Sequence, residues 1–286
     1  MSFDTLIDVK DLIHILDKEN LCIIDTRFYL INPEQGKSEY LESHLPGAYY
    51  AHLDDDLSGK ISPQSGRHPL PEPQDLAALF SNWGIGPDTQ VVIYDQNKGA
   101  IAARLWFLFN WMGHEKVAVL NGGWTAWMEH KGAISSELPK KKYSSFAMKL
   151  NNDLWVDSAF MEQHLQDPTF KYLDARINPR YLGEIEPIDP VAGHIPGAIS
   201  LPFEQHSDEQ GKFLSEEELR ASFKEALGET SAENVVCYCG SGITACHHLI
   251  SFKKAGLGKL KLYPGSWSEW IRDPNRPIEG GDKEDS

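Results

Sequence analysis

Val235-Val-Cys-Tyr-Cys-Gly-Ser-Gly-Ile-Thr-Ala245 is a short β-type run that ends in one cysteine, Cys239, followed by a tight loop with two glycines. A helical pattern runs on from Ile243 to Ala255. A strand, a glycine-bearing loop and a helix start aim backbone N–H groups and the positive end of the helix dipole at one point, where an anion is stabilised. Here that point is a sulfur. A free thiol titrates near pH 8.5 and a helix N-terminus lowers that value, so Cys239 reads as a nucleophilic thiolate near neutral pH. Cys22, Cys237 and Cys246 sit among apolar or helical neighbours and read as buried structural residues.

Outward from this stretch, the chain repeats itself. Ile23-Ile-Asp-Thr-Arg27 is matched by Tyr172-Leu-Asp-Ala-Arg176, and Ser43-His-Leu-Pro-Gly-Ala48 by Gly193-His-Ile-Pro-Gly-Ala198. Val91-Val-Ile-Tyr-Asp95 is matched by Val235-Val-Cys-Tyr-Cys239, and Gly122-Gly-Trp-Thr-Ala-Trp127 by Gly265-Ser-Trp-Ser-Glu-Trp270. Order and spacing are nearly kept through all four blocks. The reading is therefore two copies of one domain, residues 1–134 and 153–280. Between them lies a polar, lysine-rich linker, 135–152, that lacks an apolar period. The tail 281–286, with Gly280 before it, reads as disordered.

Within the second copy, Phe170–Leu173, Val235–Tyr238 and Leu260–Tyr263 read as strands. Glu216–Leu227 reads as a helix with residues 219, 223 and 227 on one face. Strands alternating with helices predict an α/β fold in each copy, a mostly parallel sheet with helices on both faces. Ligands of such sheets sit beyond the carboxyl ends of the strands, where Cys239 lies. The position of Cys239 is Asp95 in the first copy, so only the second is expected to do covalent chemistry.

Composition narrows the classes. The chain has 286 residues, 41% hydrophobic and 24% charged, enough for two ordinary cores. Its start has no signal-type segment, and its most apolar later run, Ile101 to Met112, is short and contains Arg104, so a cytoplasmic, non-membrane protein is expected. Four cysteines, two of them one residue apart, do not form a disulfide framework. A net charge of −15 excludes nucleic acid and anionic membrane surfaces as expected partners, and requires local cations for any anionic substrate.

These motifs resemble those of the rhodanese superfamily, in particular its tandem-domain sulfurtransferases that act on 3-mercaptopyruvate or thiosulfate. The resemblance covers nearly the whole chain. It implies that Cys239 takes sulfur from a donor, becomes a persulfide and passes the sulfur to cyanide, a small thiol or reduced thioredoxin, with no cofactor. Gly240, Ser241, Gly242, Ile243 and Thr244 form the loop that would stabilise the anion. Thiosulfate enzymes of animal type look like C-R-K-G-V-T-A here and mercaptopyruvate enzymes like C-G-S-G-V-T-A; CGSGITA is similar to the second. The resemblance further implies a proton relay of Ser241 with His68 and Asp54 of the first domain, Asp55 and Asp56 being the alternatives to Asp54. It implies a carboxylate- or sulfonate-binding role for Arg180 and places the site at the domain interface. A second arginine that mercaptopyruvate enzymes carry before the His-Ile-Pro-Gly turn is missing from Glu186-Pro-Ile-Asp-Pro190, so the donor stays open between mercaptopyruvate and thiosulfate. Asp174 with Arg176, and His44 with His194, read as structural.

Three rivals were weighed. A tyrosine-phosphatase-like enzyme needs arginine six residues after the cysteine, where this chain has Ala245. Cys237, Cys239, Cys246, His247 and His248 crowd together but fit no closed zinc spacing, so no metal is expected. A sulfur-carrier or interaction module that delivers persulfide to a partner protein would not need Arg180, Ser241 and His68 together.

Overall fold

The computed structural model describes residues 2–96, 98–140 and 142–280; the tail 281–286 lies outside them. The chain divides into two compact units. Of the described residues, one consists of 2–59, 70–152 and 207–213, the other of 60–69, 153–206 and 214–280.

The first unit contains, in chain order, β1 Leu6–Ile7, α1 Val9–Ile15, β2 Leu21–Asp25, α2 Pro33–Glu42, β3 Tyr49–Tyr50, α3 Pro73–Asn82, β4 Gln90–Tyr94, α4 Ala100–Trp111, β5 Val117–Leu120 and α5 Gly123–Glu129. Its strands form one parallel sheet in the order β1-β5-β4-β2-β3. Every residue of β4 is buried, as a strand covered on both faces requires. The apolar run read at 101–112 is α4, every residue of which is buried, Arg104 included. Among the described residues no helix is long and apolar enough to cross a membrane. The described residues among 135–152 carry almost no regular structure and lie along this unit: Ser144 donates to Ser81, Lys149 to Met112 and Asn151 to Trp111 through backbone bonds.

The second unit contains α6 Ser158–His164, β6 Lys171–Asp174, α7 Asn178–Leu182, β7 Ile199–Ser200, α8 Glu216–Leu227, β8 Val235–Tyr238, α9 Ala245–Lys254, β9 Lys261–Leu262 and α10 Ser266–Trp270. The parallel order β7-β6-β8-β9 repeats that of the first sheet, with a single bridge from Trp155 to Leu262 standing where β1 stands in the other copy. Helix α8 has the bounds its sequence predicts. Ser215 and Glu218 close a capping box at its start, and Leu219, Phe223 and Leu227 are its buried stripe.

The repeated blocks form one hydrogen-bonded network in each unit, which is why they repeat together. Arg27 grips Asp25 at 2.7 Å and donates to the carbonyl of Ser43 at 2.6 Å; Arg176 grips Asp174 at 2.6 Å and donates to Gly193 at 2.7 Å. Each thereby ties a strand end to its histidine-proline-glycine turn. The guanidiniums lie over Trp124 and Trp267, at 4.3 Å and 5.0 Å from the ring centres. His44 and His194 brace the turns through Nδ1, set 2.6 Å from the Tyr40 carbonyl and 2.7 Å from that of Tyr181. Matching side chains then fill both cores: Leu45, Tyr94 and Trp127 in one, Ile195, Tyr238 and Trp270 in the other.

One boundary differs from the sequence reading. A single cut near residue 135 puts His68 in the first domain, yet Lys60–Pro69 packs with the second unit. The segment has no strand or helix of its own, and its Arg67 and His68 bond to residues 189, 241 and 268.

Candidate active site

Strand β8 is buried along its whole length and delivers Cys239 to the sheet's carboxyl end. Helix α9 begins at Ala245, two residues later than its apolar pattern suggests, because the intervening loop curls around the sulfur. Gly242 donates its N–H to Sγ at 3.2 Å. The turn needs glycine at 242: φ is +78°, and a Cβ there would stand 2.2 Å from the Pro264 carbonyl oxygen.

The loop presents N–H groups inward because its carbonyls are engaged elsewhere. Trp267 donates its N–H to the Cys239 carbonyl at 3.0 Å, and Ser268 donates to that of Gly240 at 2.9 Å. The N–H of Cys239 itself goes to Ser266 Oγ at 3.1 Å. Ser266 is in the left-handed region at φ +55°, where the first copy has Gly123 at the same φ. That uncommon backbone for a serine is maintained where its hydroxyl supports the cysteine. The replacement of Gly-Gly by Gly-Ser at 265–266 was the available signal, and sequence reasoning passed over it.

Cys239 is 2% exposed. Burial pushes its thiol up, but the Thr244 hydroxyl and the N–H groups of Ala245, Ser241 and Gly242 outweigh burial and hold it below its ordinary value. By contrast, burial drives Cys237 well up and Cys22 up to about 12, which leaves both as inert thiols. None of the four cysteines is in a disulfide.

Ser241 Oγ lies 2.7 Å from His68 Nδ1, and the two side chains are 7% and 6% exposed. The neighbouring Arg67 is anchored by its N–H to Ser268 Oγ at 3.1 Å and pairs its guanidinium with Asp189. Arg180, on α7, holds Glu186 at 2.7 Å and reaches Asp189 at 3.3 Å. A Cβ placed on Gly240 would be 3.1 Å from Arg67 Nη2 and 3.5 Å from both Nη atoms of Arg180, so two guanidiniums flank the loop. Burial lowers the Arg67 pKa, the negative Cys239 opposes that and Arg180 reinforces it. Arg67 was missed in the sequence: its only signal was its place beside His68, and the side chains that define its role lie more than a hundred residues away.

Of the expected site residues, Cys239, Ser241, His68, Arg180 and the loop Gly240–Thr244 come together in the second unit. Asp54 belongs to the first, on the turn after β3, where it is exposed; nearby protein and then Asp55 raise its carboxyl, while His52 opposes them. The first unit's counterpart of the cysteine cradle is already filled. Asp95 accepts N–H bonds from Gly99 at 2.9 Å, Ile101 at 2.8 Å and Ala102 at 2.9 Å, and Trp124 donates to its carbonyl at 2.9 Å as Trp267 does to that of Cys239.

Chemically, the second unit holds a buried cysteine whose sulfur is cradled by N–H groups that favour its charged form, a serine–histidine pair beside it and two guanidiniums next to the loop. The family model for the rhodanese-like domain matches residues 8–130 and 158–273. The chain is 42% identical over 284 residues to a protein of Pseudomonas aeruginosa named probable 3-mercaptopyruvate sulfurtransferase, covering 99% of this chain and 100% of that one. It is 37% identical over 262 residues to a protein of Mycobacterium tuberculosis named putative thiosulfate sulfurtransferase SseB, covering 91% and 90%. A crystal structure of SseA from Escherichia coli, described as a 3-mercaptopyruvate sulfotransferase, matches 93% of this chain and 100% of its own with a TM-score of 0.80 at 28% identity.

Proposed function

The chain belongs to the family of rhodanese-like domain proteins, and from that premise we propose a sulfurtransferase that draws sulfur from 3-mercaptopyruvate through a Cys239 persulfide. The observation that carries the choice of donor is the 2.7 Å contact of Ser241 with His68 beside the cysteine loop. Thiosulfate releases sulfite, a stable anion that needs no proton. Mercaptopyruvate releases an enolate, which does.

In the first half-reaction the Cys239 thiolate attacks the donor sulfur. The S–S bond forms, the C3–S bond breaks, and its electron pair goes to carbon as the pyruvate enolate. The proton of the donor thiol is the one that carbon requires, and Ser241 with His68 carries it, leaving pyruvate and an anionic persulfide. The N–H groups of the loop hold that anion as they hold the thiolate. In the second half-reaction an acceptor attacks the outer sulfur; with cyanide the products are thiocyanate and the starting thiolate. A small thiol or reduced thioredoxin would serve in the same way, and no cofactor enters the balance.

Arg67 and Arg180 offer the guanidinium groups that an anionic donor needs in a chain of net charge −15, the donor taking them in exchange for their contacts with Asp189 and Glu186. Guanidinium forks suit the donor carboxylate, and Arg67 takes the place of the second arginine missing from residues 186–190. In this reading Asp95 fixes the first repeat as a non-covalent partner, and Asp54 keeps the supporting role the resemblance implies, open to test by Asp54→Asn.

The test compares kcat/KM for 3-mercaptopyruvate and thiosulfate with cyanide as acceptor, using Cys239→Ser as the control. A preference for mercaptopyruvate of tenfold or more is expected. A preference for thiosulfate, or turnover that survives in Cys239→Ser, would overturn the reading.

A further inference from the structure

In sequence, Cys237, Cys239, Cys246, His247 and His248 crowd together without a closed metal-site spacing. Folding adds a residue that spacing could not: the short helical turn Phe203–His206 brings His206 against His247 and His248 on α9. All three histidines are fully buried, and one ring nitrogen of each lies within 4.8 Å of the other two.

The hydrogen bonds say which nitrogens face the cluster. His248 Nε2 is 2.8 Å from the Leu201 carbonyl, which can only accept, so Nε2 carries the proton and Nδ1 presents a lone pair. His206 Nε2 is 3.1 Å from Ser222 Oγ. The Nδ1 atoms of His206 and His248 are buried with no hydrogen-bond partner. Two such unpartnered ring nitrogens in one core are unfavourable unless something engages them. His247 is held through Nδ1 by Ser251 Oγ at 3.2 Å. Backbone carbonyls and hydroxyls on the outer nitrogen are the supports that metal-ligating histidines use.

Spacing and surroundings agree. The His206 and His248 ring centres are 5.0 Å apart, and two imidazoles on one tetrahedral ion at a metal–nitrogen distance of about 2.0–2.1 Å place their centres about 5 Å apart. His247, 6.5 Å from His206, need close in by only about an ångström. Phe223 packs 4.6 Å from His206 and Phe203 5.5 Å from His247, which walls the cluster from water.

We propose that His206, His247 and His248 bind one divalent transition-metal ion, zinc by preference, in a three-imidazole site inside the second unit. An all-nitrogen donor set selects a borderline cation and excludes magnesium and calcium, which take oxygen ligands. The ion ties the turn at 203–206 to the helix that follows the cysteine loop. The proposal is independent of the sulfur-transfer reading.

The test uses the full-length chain without a histidine tag and with Cys239→Ser, so that the loop thiolate cannot capture metal. After chelator treatment the protein is exposed to one equivalent of Zn²⁺ or Co²⁺ and gel-filtered. Bound metal is measured by elemental analysis and the cobalt form by visible absorption. About one equivalent is expected, with tetrahedral d–d bands, no thiolate-to-cobalt charge transfer, and at least a tenfold loss of affinity in His206→Gln and His248→Gln. Absence of retained metal, a thiolate charge-transfer band, or binding untouched by both substitutions would overturn the site. Should either variant fail to fold, the parent protein alone decides.

Discussion

His68 Nδ1 and Ser241 Oγ, 173 residues apart in the chain, meet at 2.7 Å inside the second unit. The hydroxyl sits two residues after the cysteine and on the loop whose N–H groups hold its sulfur, so in the proposed reaction a proton carried by the pair would be delivered where sulfur leaves the donor. Removing the pair should affect only the donor that needs that proton. In Ser241→Ala and in His68→Asn, kcat/KM for 3-mercaptopyruvate is expected to fall by roughly 10²-fold or more, the usual contribution of general acid–base catalysis. Thiosulfate should change by less than about fivefold. Steady-state rates with both donors decide it, and equal losses for the two would leave the pair with a structural role only.

The Cys239 thiol is held below its ordinary value by hydrogen bonds that favour the charged form, with burial opposing them. Alkylation by iodoacetamide reports the thiolate, so its rate should rise with pH through a midpoint below that of a free cysteine. Thr244→Val removes the strongest of the favourable bonds and should move the midpoint upward, by about one pH unit for a bond of about 1.4 kcal/mol. The sign also reaches stability. A depressed thiol stabilises the fold above the unfolded pKa, and that share is lost as pH falls through the folded pKa. Wild type should therefore gain on Cys239→Ser in urea midpoint between pH 6 and pH 9. A midpoint unmoved in Thr244→Val would remove that hydroxyl from the account.

Arg67 and Arg180 flank Gly240 and share Asp189 between them. Loss of one guanidinium both weakens the anion site and leaves Asp189 to repel the donor. Arg67→Met, which keeps the length and loses the charge, is expected to raise KM for 3-mercaptopyruvate about tenfold or more, the worth of one charge-assisted hydrogen bond, with kcat changed less than about threefold. Arg67→Lys should recover part of the loss, since lysine keeps the charge without the fork. An unchanged KM in Arg67→Met would show that Arg180 alone receives the donor.

What could be read from the chain and what could not divide along sequence distance. Asp174 with Arg176 was legible because the pair is local, and Glu216–Leu227 because its stripe at 219, 223 and 227 lies within one helix. Cys239 was legible because strand, loop and helix are consecutive. Arg67 was not, because Asp189 and Gly240 define it and neither is near it in sequence. His206 was hidden for the same reason, since its partners come with α9. The late start of α9 and the packing of residues 60–69 with the second unit are likewise tertiary outcomes. Local apolar periodicity carries no signal for a loop that wraps a sulfur or for an extended segment without its own core.

Asp95 stands in the first unit where Cys239 stands in the second, and its buried carboxylate accepts N–H bonds from Gly99, Ile101 and Ala102. The same kind of cradle thus holds a carboxyl group in one copy and a cysteine sulfur in the other. Asn at 95 would keep the shape but remove the charge, and its amide NH₂ would face donors that need an acceptor. Asp95→Asn should therefore destabilise the protein by about 2–4 kcal/mol, the cost of weakening charge-assisted bonds and leaving buried N–H groups unpaired. Equilibrium urea unfolding measures it. Because Asp95 has no part in the proposed sulfur chemistry, the folded variant should retain kcat within about twofold. A large fall in kcat at unchanged stability would give the first repeat a direct share in turnover and reverse the structural role argued for it.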